Sequence, residues 1–213
     1  MAIYRQYKQG GLTVAVWKVE ETIEQLRSMF RDFSIYEEDF SRFSAEKRKQ
    51  EWLAVRALLK ELCGGEEKEI GYAPSGKPFL KDQSAYVSFS HTRGYVAVAM
   101  HPDAEVGIDI EQYGMRVQKL ASRFIREDEM SSVQTGDDVY AMLLHWSAKE
   151  TMFKLMDEEA VDFLEHLRIL PFIPATSGEL HAVESKSGRG QQFRILYDTH
   201  PDYVLTYSCK EVR

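Results

Sequence analysis

The chain has 213 residues, enough to bury a substantial hydrophobic core in one domain or in two small lobes. Hydrophobic residues make up 44% and charged residues 29% of it, which is typical of globular proteins and excludes disordered or fibrous classes. A formal net charge of −7 argues against a general nucleic-acid-binding protein, which needs a broad basic surface.

The cysteines and the apolar runs indicate the compartment. Cys63 and Cys209 are too few for a disulfide framework and fit a reducing cytosol. The first residues lack a basic and then apolar signal pattern, and no run approaches the roughly 18 apolar residues of a membrane span. We therefore expect a soluble, cytoplasmic protein that does not engage a membrane.

The first hundred residues alternate between strand and helix patterns. Residues 12–19 predict a strand and residues 20–30 a helix, whereas residues 32–43 show no clear period. Ser44 is the predicted N-cap of a long helix that Gly64 and Gly65 end. Residues 70–80 predict two short extended segments around a turn. Residues 86–100 predict a hairpin whose first strand ends near Ser90 and His91, and a lone histidine there is usually structural.

Residues 106–111 predict a strand that carries two carboxylates. Three apolar residues alternate with Gly107, Asp109 and Glu111 at the period of two that a pleated strand imposes. The side chains of Asp109 and Glu111 should therefore point to one face of the strand.

A helical pattern over residues 137–156 supplies a third carboxylate. Projection at 100° per residue predicts an apolar stripe made by Val139, Leu143, Trp146 and Phe153. Glu150 falls within this stripe, where an unpaired charge costs several kcal/mol. With Asp109 and Glu111 it forms an oxygen-ligand set suited to Mg²⁺, and Mn²⁺ accepts the same ligands. Lys154, one turn later, is placed to reach the phosphates that such an ion binds.

Residues 115–126 predict an amphipathic helix with a basic face. Its apolar side is Val117, Leu120 and Phe124, and its basic side is Arg116, Lys119, Arg123 and Arg126. From composition alone a solvated face is the simpler interpretation. Beyond residue 156, four stretches predict strands: residues 163–172, 179–184, 192–197 and 203–209.

Four separated pieces carry a family resemblance. They are Gly-Lys-Pro at residues 76–78, Ser-His at 90–91, Val-Gly-Ile-Asp-Ile-Glu at 106–111 and Trp-Ser-Ala-Lys-Glu-Thr-Met-Phe-Lys at 146–154. Together they resemble the signature of the 4'-phosphopantetheinyl transferases, in the larger surfactin-synthetase-activating type. Thr151 departs from the family pattern, which has Ser or Ala at that place.

The resemblance implies an α+β fold of two similar halves related by a pseudo-two-fold, each a small, mostly antiparallel sheet packed with helices. We place the halves at residues 1–103 and 104–213, with coenzyme A between them, in a monomer. The N-terminal half would contact the 3'-phosphate and adenine of coenzyme A, and the C-terminal half would hold the metal and the catalytic residues.

The implied reaction transfers the 4'-phosphopantetheine arm of coenzyme A to a serine of an apo acyl or peptidyl carrier protein and releases 3',5'-ADP. Asp109, Glu111 and Glu150 would bind Mg²⁺, and Lys154, assisted by Lys149, would offset phosphate charge. Either Glu150 or a water on the metal would take the serine proton. Charge neutralisation and alignment are the main demands of phosphoryl transfer.

The resemblance also implies binding residues, by matched position. Lys47, Arg48 and Arg56 correspond to residues that bind the 3'-phosphate, and Arg56 is the strongest because it lies within an apolar run. Gly76, Lys77 and Pro78 would lie against the adenine and its phosphates, and Ser90 and His91 would contact cofactor phosphate without transferring a proton. Because the family's carrier substrates are acidic, Arg116, Lys119, Arg123 and Arg126 would form a docking surface.

Two other functions fit parts of the pattern. A non-catalytic coenzyme A or carrier-protein binding module would not need all of Asp109, Glu111, Glu150 and Lys154. A metal-dependent phosphoester hydrolase would use the same carboxylates, but it leaves the Gly-Lys-Pro and Ser-His pieces unexplained.

Overall fold

The computed structural model describes residues 3–133, 138–156 and 158–211. The chain forms two compact units, Met1–Pro102 and Asp103–Arg213. Each unit has its own cluster of buried hydrophobic side chains.

The N-terminal unit is built on a four-stranded antiparallel sheet. Its strands are β1 (Arg5–Gln9), β2 (Leu12–Lys18), β5 (Tyr86–Thr92) and β6 (Tyr95–His101), in the order β1-β2-β6-β5. A separate two-stranded ladder pairs β3 (Ile70–Tyr72) with β4 (Pro78–Leu80). The predicted hairpin over residues 86–100 is confirmed by the β5–β6 pairing, in which Thr92 lies opposite Tyr95.

Three helices belong to this unit: α1 (Ile23–Arg27), α2 (Ser34–Ser41) and α3 (Glu46–Leu62). The N-cap of α3 is Ala45, so the prediction that Ser44 caps this helix was wrong by one residue. Gly64 and Gly65 follow α3 with φ values of +67° and +90°, as a glycine stop signal predicts. A cluster of aromatic rings, including Phe30, Tyr36 and Trp52, packs α2 and α3 together.

The C-terminal unit is built on a five-stranded antiparallel sheet. Its strands are β7 (Val106–Gln112), β8 (Leu167–Ile169), β9 (Ser177–Glu184), β10 (Gln192–His200) and β11 (Tyr203–Cys209), in the order β7-β11-β10-β9-β8. The predicted strand over residues 203–209 matches β11, whereas the prediction over residues 163–172 shrinks to the three residues of β8.

Helix α5 (Asp138–Leu155) packs on this sheet, and the short α4 (Met130–Val133) precedes it. The predicted start of the long helix, Asp137, lies outside the described residues. The predicted apolar stripe was partly wrong: Val139 and Leu143 are buried, but Phe153 is 42% exposed. The buried face is displaced around the helix because small residues, such as Ser147 and Thr151, lie against the sheet. Glu150 therefore lies at the margin of the buried face and not at its centre.

The basic segment after β7 is not one amphipathic helix. Two short 3-10 helices, Met115–Lys119 and Ala121–Arg123, replace the predicted helix over residues 115–126. Val117 and Phe124 are still buried as predicted, because the segment packs on α5 with these apolar side chains.

These observations confirm a mixed α+β fold of antiparallel sheets and helices. A pseudo-two-fold relation between the units stays a prediction. Within the three described ranges, no helix combines the length and apolar character required to cross a membrane.

Gly107 in β7 allows a close approach of α5 to the sheet. A Cβ atom on Gly107 would lie 2.6 Å from the carbonyl oxygen of Thr151 and 2.9 Å from Cγ of Leu155. Because the first of these atoms is helix backbone, any larger side chain at position 107 must push α5 away from β7.

We expect Gly107→Ala to lower the free energy of unfolding by about 1–3 kcal/mol, the usual cost of overpacking a core. Chemical denaturation followed by circular dichroism measures this change. Gly114→Ala is the matched control, because a Cβ on Gly114 meets no atom within 4 Å. Equal stability of the two variants would contradict the close-approach argument.

Candidate active site

Four charged side chains of the predicted site come together in the C-terminal unit. Strand β7 presents Asp109 and Glu111 on one face, and α5 presents Glu150 and Lys154. The ammonium of Lys154 donates to Oδ1 of Asp109 at 2.9 Å and to the carbonyl of Ile108 at 2.7 Å. The helix is thus joined to the strand at the predicted catalytic residues.

The carboxylate of Glu111 is held by Trp146. Nε1 of the indole donates to Oε1 of Glu111 at 2.7 Å. Burial, together with repulsion from Asp109, raises the pKa of Glu111 to about 7, although the Trp146 hydrogen bond and Lys154 oppose the shift. The sequence pattern placed Trp146 in the core, but in the structure it orients one of the three carboxylates.

Glu150 has a similarly perturbed environment. Burial, and secondarily the charge of Asp109, raises the pKa of Glu150 to about 7, with Lys154 acting in the opposite direction and Glu111 adding further repulsion. Asp109 therefore raises the pKa values of both glutamates, and Glu111 raises that of Glu150 further. One lysine faces three acids, an imbalance that a bound cation would relieve.

Oxygen ligands of this kind suit a hard divalent cation such as Mg²⁺ or Mn²⁺. In the described part of the chain, no group of three acidic, histidine or cysteine side chains already stands at metal-ligand spacing. The three carboxylates thus share one electrostatic neighbourhood, and metal ligation by them stays a prediction.

Lys149 has a different environment from the predicted one. Its ammonium is fully buried and donates to Oε2 of Glu129 at 2.9 Å and to the carbonyls of Phe124 and Phe163 at 2.6 and 3.2 Å. Glu129 also accepts from the backbone N–H of Ile169 at 2.6 Å. The ammonium of Lys149 is thus occupied by protein, and we correct its predicted role from phosphate ligand to structural cross-link.

An aromatic row lies beside the carboxylates. The ring of Trp146 contacts those of Phe124 and Phe163 at centroid distances of 5.1 and 5.5 Å, and Phe163 contacts Phe153 at 5.9 Å. This row holds the indole that binds Glu111. Sequence reasoning placed Phe163 in a predicted strand and did not connect it with this row, because it lies outside the helix that carries Trp146 and Phe153.

In the N-terminal unit, three predicted phosphate ligands converge on one acid. Glu51 lies 3.6 Å from Lys47, 3.7 Å from Arg48 and 3.4 Å from Nδ1 of His91. Nη1 of Arg48 also contacts Nε2 of His91. Sequence reasoning missed Glu51, although its position one turn after Lys47 is the spacing of a helical ion pair.

Arg56 lies in a different setting from these three residues. Its guanidinium stacks on Trp52 with 3.3 Å to the ring centroid and donates to the Trp52 carbonyl at 3.3 Å. Burial lowers the pKa of Arg56, and Tyr72 partly opposes this effect. An aromatic face, and not an anion, is thus its main neighbour. Its Nε atom has no hydrogen-bond partner among the described residues.

The remaining predicted binding residues occupy turns and edges. In the turn before β4, the backbone N–H of Ala73 donates to the carbonyl of Lys77, and the N–H of Gly76 donates to the carbonyl of Ala73. Gly76 has a φ of +85°. Pro78 begins β4. Ser90 and His91 lie within the last three residues of β5, as predicted.

The four basic residues of the proposed docking surface differ in exposure. Arg116, Lys119 and Arg123 are exposed. Arg126 is only half-buried, and its guanidinium bonds to Asp128 and to the carbonyl of Leu164 at 3.1 and 2.8 Å. Arg126 thus braces a loop, and its place in the docking surface stays a prediction.

The raised pKa values of Glu111 and Glu150 predict how stability depends on pH. Both pKa values rise from 4.5 to about 7, so the folded protein binds more protons than the unfolded chain between these values. Their favourable contribution is complete below about pH 4.5 and is lost as the pH rises through about 7. With EDTA present, we expect the free energy of unfolding to fall by about 1 kcal/mol or more from about pH 5 to about pH 8.

Thermal unfolding at a series of pH values measures this loss, which corresponds to about 2–4 °C in Tm per kcal/mol for a chain of this size. The control is the double variant Glu111→Gln/Glu150→Gln, in which the pH slope should flatten. A slope identical to that of the unmodified protein would show that these two carboxyl groups do not cause the loss.

Comparison with known proteins supports the second unit in particular. Residues 105–208 match the model of the 4'-phosphopantetheinyl transferase superfamily. Curated relatives include the 4'-phosphopantetheinyl transferase AcpT of Escherichia coli strain K12 and that of Escherichia coli O157:H7. Each is 30% identical over 113 residues, which cover 50% of this chain and 57% of the relative. The chain thus spans a little over half the length of the curated relatives it matches.

The matched residues contain both β7 and α5, with all four charged side chains of the candidate site. The resemblance predicted from the sequence is therefore confirmed, while the surfactin-synthetase-activating subtype stays a prediction. Residues 105–208, and with them the candidate site, are thus similar to the 4'-phosphopantetheinyl transferase superfamily.

Proposed function

We propose that the protein transfers the 4'-phosphopantetheine arm of coenzyme A to a serine of an apo acyl or peptidyl carrier protein and releases 3',5'-ADP. The observation that carries this proposal is the joining of Asp109, Glu111, Glu150 and Lys154 into one electrostatic neighbourhood within the superfamily match. The curated relatives bear the name of this activity.

Asp109, Glu111 and Glu150 are the residues that would hold a divalent cation, Mg²⁺ or Mn²⁺. Their fit rests on the donor chemistry and on the burial and the repulsion from Asp109 that raise the pKa values of both glutamates. When bound, the cation would neutralise the diphosphate and polarise the phosphorus under attack.

Lys154 would offset the charge that grows on the phosphate oxygens. Its side chain is 26% exposed and its ammonium already lies 2.9 Å from Asp109, so it can meet an anion beside the carboxylates without a long movement. Lys149, by contrast, is committed to Glu129 and takes no part in this step.

Glu150 would accept the proton of the attacking serine. A pKa raised to about 7 gives a carboxylate the basicity that this task needs near neutral pH. A glutamate that binds the cation through the same oxygen loses that basicity, so ligand and base are competing roles for Glu150. The pH dependence of kcat distinguishes these roles. If kcat falls at acidic pH in the unmodified protein but not in the residual activity of Glu150→Gln, Glu150 acts as the base.

The N-terminal unit would bind the nucleotide part of coenzyme A. Lys47, Arg48 and His91 surround Glu51, which holds these cationic and polar groups in one place. A 3'-phosphate would take over this role from Glu51 with more charge and more acceptor atoms. The turn with Gly76, Lys77 and Pro78 would lie against the adenine, and Ser90 would contact phosphate. Arg56 is the weaker candidate, because Trp52 covers one face of its guanidinium.

The segment after β7 would dock the carrier protein. The same segment lines a groove of about 730 Å³, in which apolar side chains that include Ile125, Met130 and Leu164 lie beside the charged side chains of Arg126, Glu127 and Glu165. An amphipathic helix would place its apolar side in this groove, while its acidic side would be attracted by the exposed basic residues earlier in the segment. The charge on Arg116, Lys119 and Arg123 would steer the carrier, and Arg126 would hold the groove's edge.

Two other functions remain distinct from this proposal. A non-catalytic binding module would bind coenzyme A or the carrier without changing either of them. A metal-dependent phosphoester hydrolase would cleave coenzyme A without modifying a carrier. Both differ from a transferase in the products that one reaction mixture contains.

To test the function, the protein is mixed with coenzyme A, Mg²⁺ and an apo carrier, and the carrier is weighed by mass spectrometry. We expect the mass of one phosphopantetheine group to be added to the carrier. Asp109→Ala and Glu150→Ala should abolish transfer, while Glu111→Ala should weaken it by raising the Mg²⁺ concentration needed. Circular dichroism and Tm verify that each variant folds.

Glu158→Ala, which removes an exposed carboxylate from the same unit, is the control and should leave transfer unchanged. An unmodified carrier with intact coenzyme A would favour the binding module. Coenzyme A cleaved without any carrier modification would favour the hydrolase. A fully active Asp109→Ala variant would refute the site assignment.

The docking surface has its own test. Arg116→Glu and Arg123→Glu should raise the apparent KM for the carrier by about tenfold at low salt, because reversed charge repels an acidic partner, while the Kd for coenzyme A stays unchanged. Steady-state kinetics and calorimetry measure the two quantities.

Arg189→Glu is the matched control, since Arg189 is an exposed arginine of the same unit in the turn between β9 and β10. It should leave the carrier KM within about twofold of the unmodified value. Carrier kinetics that are insensitive to Arg116→Glu and Arg123→Glu at low salt would remove the docking surface from this segment.

A further inference from the structure

Three buried hydroxyl groups connect α5 with β11. Oγ of Ser147 lies 2.8 Å from Oγ1 of Thr206, and Oγ1 of Thr151 lies 2.7 Å from the same atom. Thr151 Oγ1 also donates to the carbonyl oxygen of Thr206 at 3.2 Å. All three side chains are fully buried. We call this set the hydroxyl chain.

The two contacts between hydroxyl groups can run in either direction, and each hydroxyl has one proton to donate. When Thr151 donates to the carbonyl of Thr206, the hydroxyl of Thr206 can donate to Thr151 and that of Ser147 can donate to Thr206. In this arrangement every proton is used once, and Thr206 both donates and accepts. A buried polar network that is fully satisfied in this way rigidifies the elements it joins.

The hydroxyl chain lies where the candidate catalytic residues are attached. On α5, Ser147 and Thr151 stand three residues before and one residue after Glu150. On β11, Thr206 is the direct cross-strand partner of Asp109, so the two side chains share one face of the sheet. The hydroxyl chain therefore connects the turn of α5 that carries Glu150 to β11, the strand that pairs with β7 at Asp109.

The backbone geometry supports the same connection. Thr151 is the residue whose carbonyl oxygen would meet a Cβ atom at Gly107. The helix is consequently held against β7 by close backbone approach and against β11 by hydroxyl groups. These two restraints fix the distance and the rotation of α5 relative to the two strands.

We infer that Ser147, Thr151 and Thr206 are positioning residues that set the rotation of α5, and so place Glu150 and Lys154 relative to Asp109. This inference rests on the proposed transferase function. The hydroxyl of Thr151 links Thr206 to the helix through two partners, which a serine at this position could also do and an alanine could not.

The central hydroxyl is removed by Thr206→Val, which preserves the shape of the side chain, and is kept by Thr206→Ser. We expect Thr206→Val to lower kcat by about tenfold or more with KM for coenzyme A within about twofold, since misplaced catalytic groups slow the chemical step. Thr206→Ser should restore kcat. Ser208→Ala, which removes a buried hydroxyl of β11 that bonds to Arg194 and not to α5, should leave kcat unchanged.

A second readout does not depend on activity. Fluorine NMR of 5-fluorotryptophan-labelled protein reports on Trp146, which neighbours Ser147 and bonds to Glu111; Trp146→Phe assigns its signal. Thr206→Val should shift this signal, Thr206→Ser should return it, and Ser208→Ala should not move it. If Thr206→Val fails to fold, Ser147→Ala removes only the terminal hydroxyl and should give a smaller shift in the same signal.

A Thr206→Val variant with unchanged kcat and an unchanged Trp146 signal would overturn the inference. A Thr206→Ser variant in which neither kcat nor the Trp146 signal returns to the unmodified value would also overturn it. If the unmodified protein transfers nothing to any apo carrier, the proposed function fails, whereas the Trp146 signal still decides whether the hydroxyl chain sets the helix position.

Discussion

The packing of α5 on β7 and β11 is the constraint on which the candidate site depends. Asp109 and Glu111 stand on the strand, and Glu150 and Lys154 stand on the helix, so their mutual geometry is the geometry of this one contact. Gly107 permits the approach, because any Cβ there would collide with helix backbone. The glycine of the strand motif thus has a steric role beside the chemistry of the aspartate two residues later.

The same contact concentrates negative charge. Burial, with repulsion from Asp109, shifts the pKa values of Glu111 and Glu150 to about 7, while Lys154 supplies the nearby positive charge. Such an arrangement costs folding free energy near neutral pH and is expected where function, not stability, selects the residues. A divalent cation with a diphosphate would convert this cost into binding free energy, which links the site's electrostatics to the proposed transfer reaction.

Two buried cations show where sequence reasoning reaches its limit. Lys149 and Arg56 both lie in predicted helices beside apolar residues, and both were interpreted as phosphate ligands. In the structure, Lys149 bonds to Glu129 and to two backbone carbonyls, and the guanidinium of Arg56 stacks on the ring of Trp52. A buried cation must have a partner, but the partner can be a carboxylate, a carbonyl, an aromatic ring or a ligand. Only the positions of residues distant in sequence distinguish these cases.

The sequence by itself determined the β5–β6 hairpin, the strand with Asp109 and Glu111, and the family resemblance, which in turn implied the α+β class. These features depend on alternation, helical spacing and short motifs, which are local properties of the chain. The tertiary structure alone decided which side of α5 is buried and that Trp146 binds Glu111. It also decided that Glu51 contacts Lys47, Arg48 and His91, and that Thr206 bonds to two hydroxyl groups of α5. Each of these contacts joins side chains whose meeting depends on how helices and strands pack, and residue spacing along a single element carries little information about packing.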